Sequence, residues 1–387
     1  MLETIAYILA IFALIFGPAG LYMSLIEAFP IKWVYYHYKI KKPINWAIVL
    51  LVLLVAVFIT VQNRKFEIWT FIPWFISIVG LLLAYKAHQS QLFKEIDFPP
   101  MAVDIAKLPI EDQMQMAVVE YGGITKCYPL NYVKTHHIVN DKFSDKIVSL
   151  TFCAHCNGFI PFDVTAIGPL FAGSMKGGNL IVADKKTATF FQQATFKSIA
   201  GKLHPAELTM IPYQIIPWRE VKILAPQPMV VQVTKKDLKD FEILIKGVWK
   251  KIQKTEFTLG ISKKNRNKEF PARTRVIGLL DPFFEKKVAY IKDELIKKKI
   301  VQNDTMHFVL IVIEDTVIGF KSTLNTAELN LKLYGNIIRD EISKTEWNLQ
   351  GKHLNGKINK NLEYLSLSDE FWFSWKKFNP NSELIRL

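Results

Sequence analysis

The residues best suited to chemistry lie in a Cys-Ala-His-Cys segment that begins at Cys153 and ends at Cys156. A turn with this spacing lets both sulfurs point to one centre, so the thiols can share a metal ion or close into a disulfide. His136 and His137 lie a short way upstream, and thiolates combined with an imidazole suit copper(I) or zinc. The sequence therefore predicts a copper or zinc site formed by Cys153, Cys156 and His136, with His137 or His155 as the fourth ligand.

The same cysteine pair supports two other interpretations, and both stay open beside the metal site. A dithiol can cycle between its reduced and disulfide forms, with a nearby imidazolium stabilising the thiolate. Alternatively, the two cysteines are merely packed, and the protein is a non-catalytic binding module tethered to a membrane. Whether the protein is an enzyme therefore stays open.

Three further uses of a Cys-x-x-Cys pair are disfavoured. Covalent attachment of a c-type haem needs a histidine directly after the second cysteine, where Asn157 stands. An iron–sulfur cluster usually takes four cysteines, and the chain has 3. A thioredoxin-like motif opens a helix, whereas the segment from Asn157 to Pro161 predicts a turn followed by a strand.

A second set of polar residues is a candidate lining for the same pocket. Asn157 adjoins Cys156, and Asp184, Gln192 and Gln193 form a polar cluster further along the chain. Asp184 has a counterpart in Asp340, so a turn-capping role competes with a role in the site.

The elements that must position these residues recur along the chain. Tyr128-Pro129-Leu130 followed by residues 138–141 is matched by Ala289-Tyr290-Ile291 followed by residues 300–304, and Gly201 is matched by Gly356. Short runs rich in β-branched and aromatic residues, separated by turn signals, predict that each copy is mostly strand, with one helix near residues 130–135 or 292–299. The second copy has no cysteine, so the fold unit can be built without the Cys/His cluster.

The fold predicted from these patterns is an α-helical membrane anchor with three spans, followed by a mostly-β (α+β) soluble domain made of two diverged repeats. We place the anchor at residues 1–90, the first repeat with the Cys/His cluster at 98–225, a basic connector at 226–270, and the second repeat at 271–387. The connector ends in a lysine-rich run, which is suited to anionic lipid headgroups as well as to plain solvation.

The membrane anchor is inferred from the uneven distribution of charged residues along the chain. The net charge of +14 for all 387 residues does not show this distribution. Residues 1–90 carry only 7 Lys/Arg and 3 Asp/Glu, and contain three uncharged, mostly apolar runs, Ile5–Ile26, Ile44–Val61 and Ile68–Tyr85. Runs of this length can cross about 30 Å of hydrocarbon. This pattern excludes a wholly soluble protein, a disordered chain and a pure transporter bundle, and makes the lipid bilayer the first expected partner.

Basic residues also bear on orientation and on nucleic acid. Four lysines follow the first apolar run, against Arg64 and Lys65 after the second, so the positive-inside rule places the soluble domain in the cytoplasm. Of the 49 basic residues only 7 are arginine, the residue that reads phosphate and guanine bidentately. No nucleic-acid partner is expected.

Several of these motifs form one ordered series. Tyr128-Pro129-Leu130 leads to residues 136–141 and then to residues 153–157, and Asp184-x-x-Thr187 continues through Gln193 and Thr195 to Gly201. In combination, over about residues 98–382, the series resembles the DUF3179 family of bacterial and archaeal proteins. His155 lies outside the motif positions, and His137 stands where the family has glutamate.

The resemblance implies a pocket around these motifs but no settled activity. Because His137, Phe191 and Phe196 replace family residues, the pocket geometry is expected to be altered while its thiols and imidazole remain. Many family members look exported or lipid-anchored, which favours an extracytoplasmic domain. The expected location is therefore the cytoplasmic (inner) membrane, as a multi-pass protein, with the side of the soluble domain open between the two arguments.

Overall fold

The computed structural model describes residues 1–224, 228–243, 247, 250–280, 287–324 and 327–387. Residues 226–227, 244–246 and 248–249 of the predicted connector lie outside the described residues, as do 225 of the first predicted repeat and 281–286 and 325–326 of the second. Contacts divide the chain into two compact units. The helical unit comprises Met1–Glu95, Leu170–Glu207 and Leu259–Lys263, and the β unit comprises Ile96–Pro169, Leu208–Thr258 and Lys264–Leu387.

The helices of the structure are these, in chain order: α1 (Leu2–Phe16), α2 (Ala19–Leu25), α3 (Ile31–Asn63), α4 (Ile72–Lys86), α5 (Gln89–Leu92), α6 (Leu130–His136), α7 (Trp218–Leu224), α8 (Lys235–Phe241), α9 (Lys250–Gln253), α10 (Lys292–Lys298) and α11 (Trp372–Phe378). Short 3-10 helices lie at Ile68–Phe71 and Ile105–Lys107.

The strands are β1 (Ile96–Asp97), β2 (Gln115–Tyr121), β3 (Ile124–Pro129), β4 (Ile138–Phe143), β5 (Lys146–Cys153), β6 (Gly158–Asp163), β7 (Leu170–Lys176), β8 (Asn179–Asp184), β9 (Phe190–Gln192), β10 (Ser198–Ala200), β11 (Thr209–Met210), β12 (Tyr213–Pro217), β13 (Met229–Val230), β14 (Arg275–Leu279), β15 (Val288–Ile291), β16 (Ile300–Asn303), β17 (Phe308–Ile313), β18 (Thr316–Lys321), β19 (Thr323–Leu324), β20 (Ala327–Glu328), β21 (Leu331–Tyr334), β22 (Ile337–Asp340), β23 (Glu346–Asn348), β24 (His353–Asn355), β25 (Leu367–Phe371) and β26 (Glu383–Ile385). Outside the apolar N-terminal region, strands are therefore the predominant regular element of the described chain.

The apolar N-terminal helices match the three predicted runs in their coarse placement. By length and composition, Ile31–Asn63 and Ile68–Lys86 can each cross a membrane, and the pair α1 and α2, bent by 48°, makes a third span if it is counted as one. The bend falls at Gly17-Pro18, where proline lacks a backbone N–H. There the imidazole Nε2 of His37 donates a 2.6 Å hydrogen bond to the carbonyl of Phe16, at the end of α1.

In the helical unit, the first third of α3 packs against an antiparallel sheet of order β10-β9-β8-β7. Val34 is buried with Phe171 and Phe190 of that sheet, and the Tyr35 ring lies 5.3 Å from the Phe190 ring. The Lys39 Nζ donates a 2.7 Å hydrogen bond to the carbonyl of Thr187. One helix therefore carries both the sheet contacts and an apolar stretch long enough for a membrane.

The β unit contains two four-stranded sheets with the same plan, β12-β2-β3-β13 and β25-β14-β15-β26. In each sheet the first three strands are antiparallel, and the last strand is parallel to its neighbour. A seven-residue helix, α6 or α10, directly follows β3 or β15. The residue after each helix has positive φ, His137 (φ 61) or Lys299 (φ 66).

The strands β12 and β25, at corresponding edges of the two sheets, are each followed directly by a second short helix. These helices begin at Trp218 and Trp372. The prediction of one helix per copy was therefore wrong. These helices have only seven residues and begin directly after a strand, so their sequences carry little of the 3.6-residue period that reveals longer helices.

The hairpin that carries the cysteines also has a counterpart. The strands β5 and β6 pair from Val148 to Cys153, and β17 pairs with β18 in the same antiparallel way. Cys153 lies opposite Gly158 with four residues between them, whereas Ile313 lies opposite Thr316 with two. The turn that holds Cys156 is thus two residues longer than its counterpart.

Candidate functional site

Cys153 is the last residue of β5 and Cys156 lies in the tight turn to β6, and both are buried, reduced thiols. The backbone N–H of Cys156 donates to the Sγ of Cys153 at 3.4 Å, and the Cys156 Sγ lies 3.8 Å from the Cys153 carbonyl. Asn157 closes the turn at φ 65, a conformation that asparagine tolerates better than most residues. The sequence Asn-Gly after the second cysteine thus explains why the chain reverses here.

Residues from the second half of the β unit cover this turn. The Arg273 guanidinium donates a 2.6 Å hydrogen bond to the His155 carbonyl and lies over the rings of Phe371 and Phe373 at 5.0 and 4.8 Å. The Phe371 N–H donates to the Cys156 carbonyl at 3.0 Å. Burial raises the pKa of the Cys156 thiol well above its usual range. The thiol is therefore protonated at neutral pH, which makes it a weak nucleophile.

Glu370 adds a second acid close to this turn. Burial raises the pKa of its carboxyl to about 7, although the hydrogen bond from Ser368 acts in the opposite direction. The Ser368 hydroxyl donates to the Glu370 carboxylate at 2.9 Å. The negative charge of Glu370 is one of the causes that raise the Cys156 pKa. Ionising either group thus makes ionisation of the other harder.

Only His155 shares the turn with the cysteines. The His136 Nε2 instead lies 3.4 Å from an Asp237 carboxylate oxygen of α8, and its ring stands edge-on to Tyr132 at 4.7 Å. His137 is buried at the end of α6, where burial lowers its pKa to about 4, and burial lowers the pKa of His155 to about 3.

A search of the described residues for three or more His, Cys, Asp or Glu side chains that could hold a metal ion finds none. Of the predicted ligands, the turn brings Cys153 and Cys156 together, and His136 has a carboxylate partner on another element. The predicted copper or zinc site therefore stays a prediction.

The predicted pocket residues fall in both units. Asn157 belongs to the β unit, whereas Asp184, Gln192 and Gln193 belong to the helical unit. Asp184 accepts hydrogen bonds from the Thr187 N–H at 2.5 Å and the Thr187 hydroxyl at 2.8 Å, which is a turn cap. Asp340 accepts from the Ser343 N–H at 2.7 Å in the same way.

The two glutamines hold strands together. The Gln192 Nε2 donates to the Asn179 side-chain oxygen at 2.6 Å, and the Asn179 Nδ2 donates to the Gln193 side-chain oxygen at 3.2 Å. Both side chains are thus engaged inside the sheet.

Sequence reasoning missed a charged pocket in the β unit. Its volume is about 40 Å³. Among the polar and charged residues that line it, from both halves, are Gln115, Lys134, Asn157, Gln214, Arg275, Thr316 and Asp369. Within it the Asp369 carboxylate accepts from Arg275 at 2.9 and 2.5 Å and from Lys292 at 2.9 Å. Burial opposes the ionisation of Asp369, but Arg275 and Lys292 together hold its pKa below the usual value.

Asp315 is the second carboxylate of this cluster. It lies 3.2 Å from the Lys292 Nζ and 3.3 Å from an Arg275 guanidinium nitrogen. The cations of Arg275 and Lys292 are thus balanced by the two carboxylates.

Lys134 supplies a further positive charge to this pocket. It projects from α6, is partly buried, and forms no ion pair or hydrogen bond through its Nζ to any residue that the structure describes. Its ammonium lies 5.3 Å from the Phe152 ring centre. Burial, followed by the charge of Arg275, lowers its pKa to about 8. The pocket therefore has one cation in excess.

The fold and site define a strand-rich protein with N-terminal apolar helices, a buried Cys-x-x-Cys turn and a charged pocket. Residues 93–382 match the family described as a protein of unknown function, DUF3179. This match covers most of the chain, and the protein belongs to that family. Comparison with the curated proteins and with the solved structures gives no match. The family resemblance predicted from the motifs is thereby confirmed.

Proposed function

We propose that the protein is a membrane-tethered, non-catalytic binding module that holds a small carboxylate in the pocket beside Lys134. The observation that carries the proposal is the position of Lys134, a partly buried ammonium that lines the pocket and forms no ion pair with the residues that the structure describes, although Asp369 and Asp315 lie close enough to act on its charge. A cation withdrawn from water costs free energy unless an anion pairs with it. A bound carboxylate would supply that partner through charge-assisted hydrogen bonds.

Neighbouring groups favour a carboxylate over a larger anion. The Gln115 Nε2 donates to the Thr316 hydroxyl oxygen at 3.1 Å, so the hydroxyl hydrogen of Thr316 is left for a second acceptor in the pocket. A volume of about 40 Å³ suits the carboxylate group of the ligand. The hydrocarbon part of the ligand would extend outwards along Leu130, Phe152 and Val317. The single excess charge also matches a monoanion.

Binding of butyrate to the full chain in detergent micelles tests this function. We expect saturable binding by calorimetry, a loss of about tenfold to a hundredfold in affinity for Lys134→Met, and no binding of the neutral isostere butyramide. Lys297→Met is the matched control, because Lys297 is exposed on α10 and does not line the pocket. Wild-type affinity in Lys134→Met, or no saturable butyrate binding to the wild type, contradicts the proposal.

The Cys153–Cys156 turn favours a second candidate function. Its 3.4 Å N–H to Sγ contact holds the first sulfur towards the second cysteine, an arrangement suited to copper or zinc bound by both thiolates or to a disulfide. In either use the thiols lose two protons, and disulfide formation also releases two electrons to an oxidant such as a small-molecule disulfide. In both uses the Arg273 side chain, which covers the turn, has to move away, because the two cysteines are buried.

Metal analysis separates the two uses of the turn. Bound copper or zinc that disappears in Cys153→Ser supports the metal site. A reversible two-electron thiol titration without metal supports the redox pair. If neither is seen, and Cys153→Ala with Cys156→Ala leaves butyrate binding intact, the cysteines are packing residues of the binding module.

Two architectural proposals complete this function. We infer that the matched sheets β12-β2-β3-β13 and β25-β14-β15-β26 are diverged repeats that arose by duplication, since strand order and direction agree throughout. We also propose that α1 to α4 hold the protein in the cytoplasmic membrane as three spans, with α1 and α2 forming one of them. We also propose that the lysine-rich run of residues 263–268 attracts anionic lipid headgroups.

A further inference from the structure

A second pocket of the β unit lies on the opposite face of the sheet β12-β2-β3-β13. Its volume is about 280 Å³, and Val118, Glu120, Thr125 and Cys127 line it from the strands β2 and β3. Gln214 of β12 pairs directly with Val118, and directly opposed residues of an antiparallel pair share a face. Gln214 thus lines both pockets, and its side chain shares the face of Val118, which lines this one.

Two glutamine side chains in this pocket have unsatisfied buried atoms. Gln214 is 9% exposed and Gln350 is 8% exposed, and both line the pocket. The Gln214 Nε2 and the Gln350 Oε1 are buried without a hydrogen-bond partner in the part of the chain that the structure describes. The wall of the free pocket thus includes one glutamine with an unused donor and one with an unused acceptor. Each of these atoms is itself covered, so a ligand reaches it once the side chain turns towards the cavity.

Leaving these atoms unpaired is costly. A buried amide group without a hydrogen bond destabilises a protein. Two such residues lining one cavity are expected where a ligand completes their hydrogen bonds. The volume of about 280 Å³ is several times that of the charged pocket, so a small organic molecule fits.

The other lining groups select for an uncharged molecule. Burial raises the pKa of the Cys127 thiol to about 12, and burial followed by the charge of Glu120 raises the pKa of Tyr364 to about 12. Both are neutral at physiological pH. Val118, Val221 and Leu362 add apolar walls, while the charged side chains of Glu120 and Lys352 are exposed at the rim.

We propose that this pocket binds a small neutral molecule bearing an amide group, whose carbonyl accepts from the Gln214 Nε2 and whose N–H donates to the Gln350 Oε1. A primary amide, a lactam or a peptide bond carries both groups side by side. The site shares Gln214 with the carboxylate pocket but does not include Lys134, so it would stand even if butyrate binding failed.

The first test compares two lactams on the full chain in detergent micelles by ligand-observed NMR. The molecule 2-pyrrolidone offers both a carbonyl and an N–H, whereas N-methyl-2-pyrrolidone has the same ring without the N–H. We expect 2-pyrrolidone to bind at least about fivefold more tightly, in line with one hydrogen bond of about 1 kcal/mol. Gln350→Met should abolish this preference, Gln214→Met should weaken both ligands, and Lys134→Met should change neither.

A stability measurement guards against a variant that simply fails to fold. Replacing an unpaired buried amide by the similarly shaped methionine should raise the melting temperature of the free protein by roughly 2–4 °C for Gln214→Met and for Gln350→Met. Gln115→Met is the matched control, because the Gln115 amide is paired with Thr316, and its melting temperature should fall.

Specific results would overturn the amide site. They are equal affinity of the two lactams, no saturable binding of 2-pyrrolidone, or a preference for 2-pyrrolidone that survives Gln350→Met. A fall in melting temperature for both Gln214→Met and Gln350→Met would also contradict it, because that outcome would mean that these amides already have partners.

Discussion

The side chain of Asn157 donates a 2.9 Å hydrogen bond to the backbone carbonyl of Asp369. Asn157 directly follows Cys156, and Asp369 is the carboxylate that Arg275 and Lys292 hold. The cysteine turn and the charged cluster are therefore tied together at the strand β25. A substitution in the cysteine turn is therefore expected to perturb the charged cluster, and a substitution in the charged cluster is expected to perturb the turn.

Asn157 gives the first prediction. Asn157→Ala should lower the free energy of unfolding by about 2 kcal/mol, from the lost hydrogen bond and from the strain of alanine at φ 65. Asn157→Gly keeps the backbone conformation and should lose only about 1 kcal/mol. Denaturant unfolding measures both. Equal losses in the two variants would mean that backbone strain at this position is negligible.

Glu370 predicts a pH dependence of stability. Its pKa in the folded protein, about 7, lies above the ordinary value of 4.5, so folding favours the protonated carboxyl. The stabilisation is complete below about pH 4.5 and is lost as the pH rises through 7. Glu370→Gln should therefore be more stable than the wild type at pH 8, by up to about 3 kcal/mol, and the difference should shrink towards pH 5. Thermal unfolding at both pH values checks this.

A pH-independent difference between Glu370→Gln and the wild type would contradict that argument. It would show that the carboxyl has the same pKa in the folded and unfolded chains. Glu363→Gln is a suitable control, because Glu363 is exposed and pairs with Lys321 at the surface.

Gly201 and Gly356 test whether the two predicted repeats behave alike. Both have positive φ, 126 and 106, and a Cβ on either would collide with the backbone of a threonine, Thr189 or Thr345. Gly201→Ala and Gly356→Ala should each cost more than about 2 kcal/mol. Gly335→Ala is the control, since Gly335 also has positive φ but has open space where a Cβ would stand. Its expected cost is about 1 kcal/mol, measured in the same unfolding experiment.

The orientation in the membrane gives the last prediction. The lysines that follow the first apolar run outnumber Arg64 and Lys65 after the second, so a reporter fused after Leu387 should be active as a cytoplasmic fusion. A reporter that works only outside the cytoplasm would reverse this and agree with the location expected from the family resemblance. It would also place Cys153 and Cys156 in an oxidising compartment, where a disulfide is favoured.

Local patterns allowed much of the fold to be predicted. Uninterrupted apolar length indicates the helices that can span a membrane, and Pro18 indicates the bend between α1 and α2. The turn at Cys153 to Asn157 follows from Asn-Gly and from the β pattern around it. These features depend on neighbours in sequence, which are visible before folding.

The surroundings of the site depended on contacts between distant segments. His136 was predicted to face the cysteines, but its partner is Asp237, about a hundred residues further on. The sequence does not distinguish Lys134 from the other lysines, and only the fold shows that it lines one pocket with Arg275 and Asp369. Gln214 looks like an ordinary strand residue, and its unpaired amide appears only once the facing loop is in place. No periodicity or spacing could reveal these relationships.

The length of α3 has a mechanical consequence. Its 33 residues extend about 50 Å, whereas the hydrocarbon core of a bilayer is about 30 Å thick. The surplus of about 20 Å is the part that packs on the sheet β10-β9-β8-β7 through Val34 and Tyr35. If α3 crosses the membrane as proposed, its length sets the distance between that sheet and the lipid, and the contacts at Val34 and Tyr35 hold the sheet at this distance.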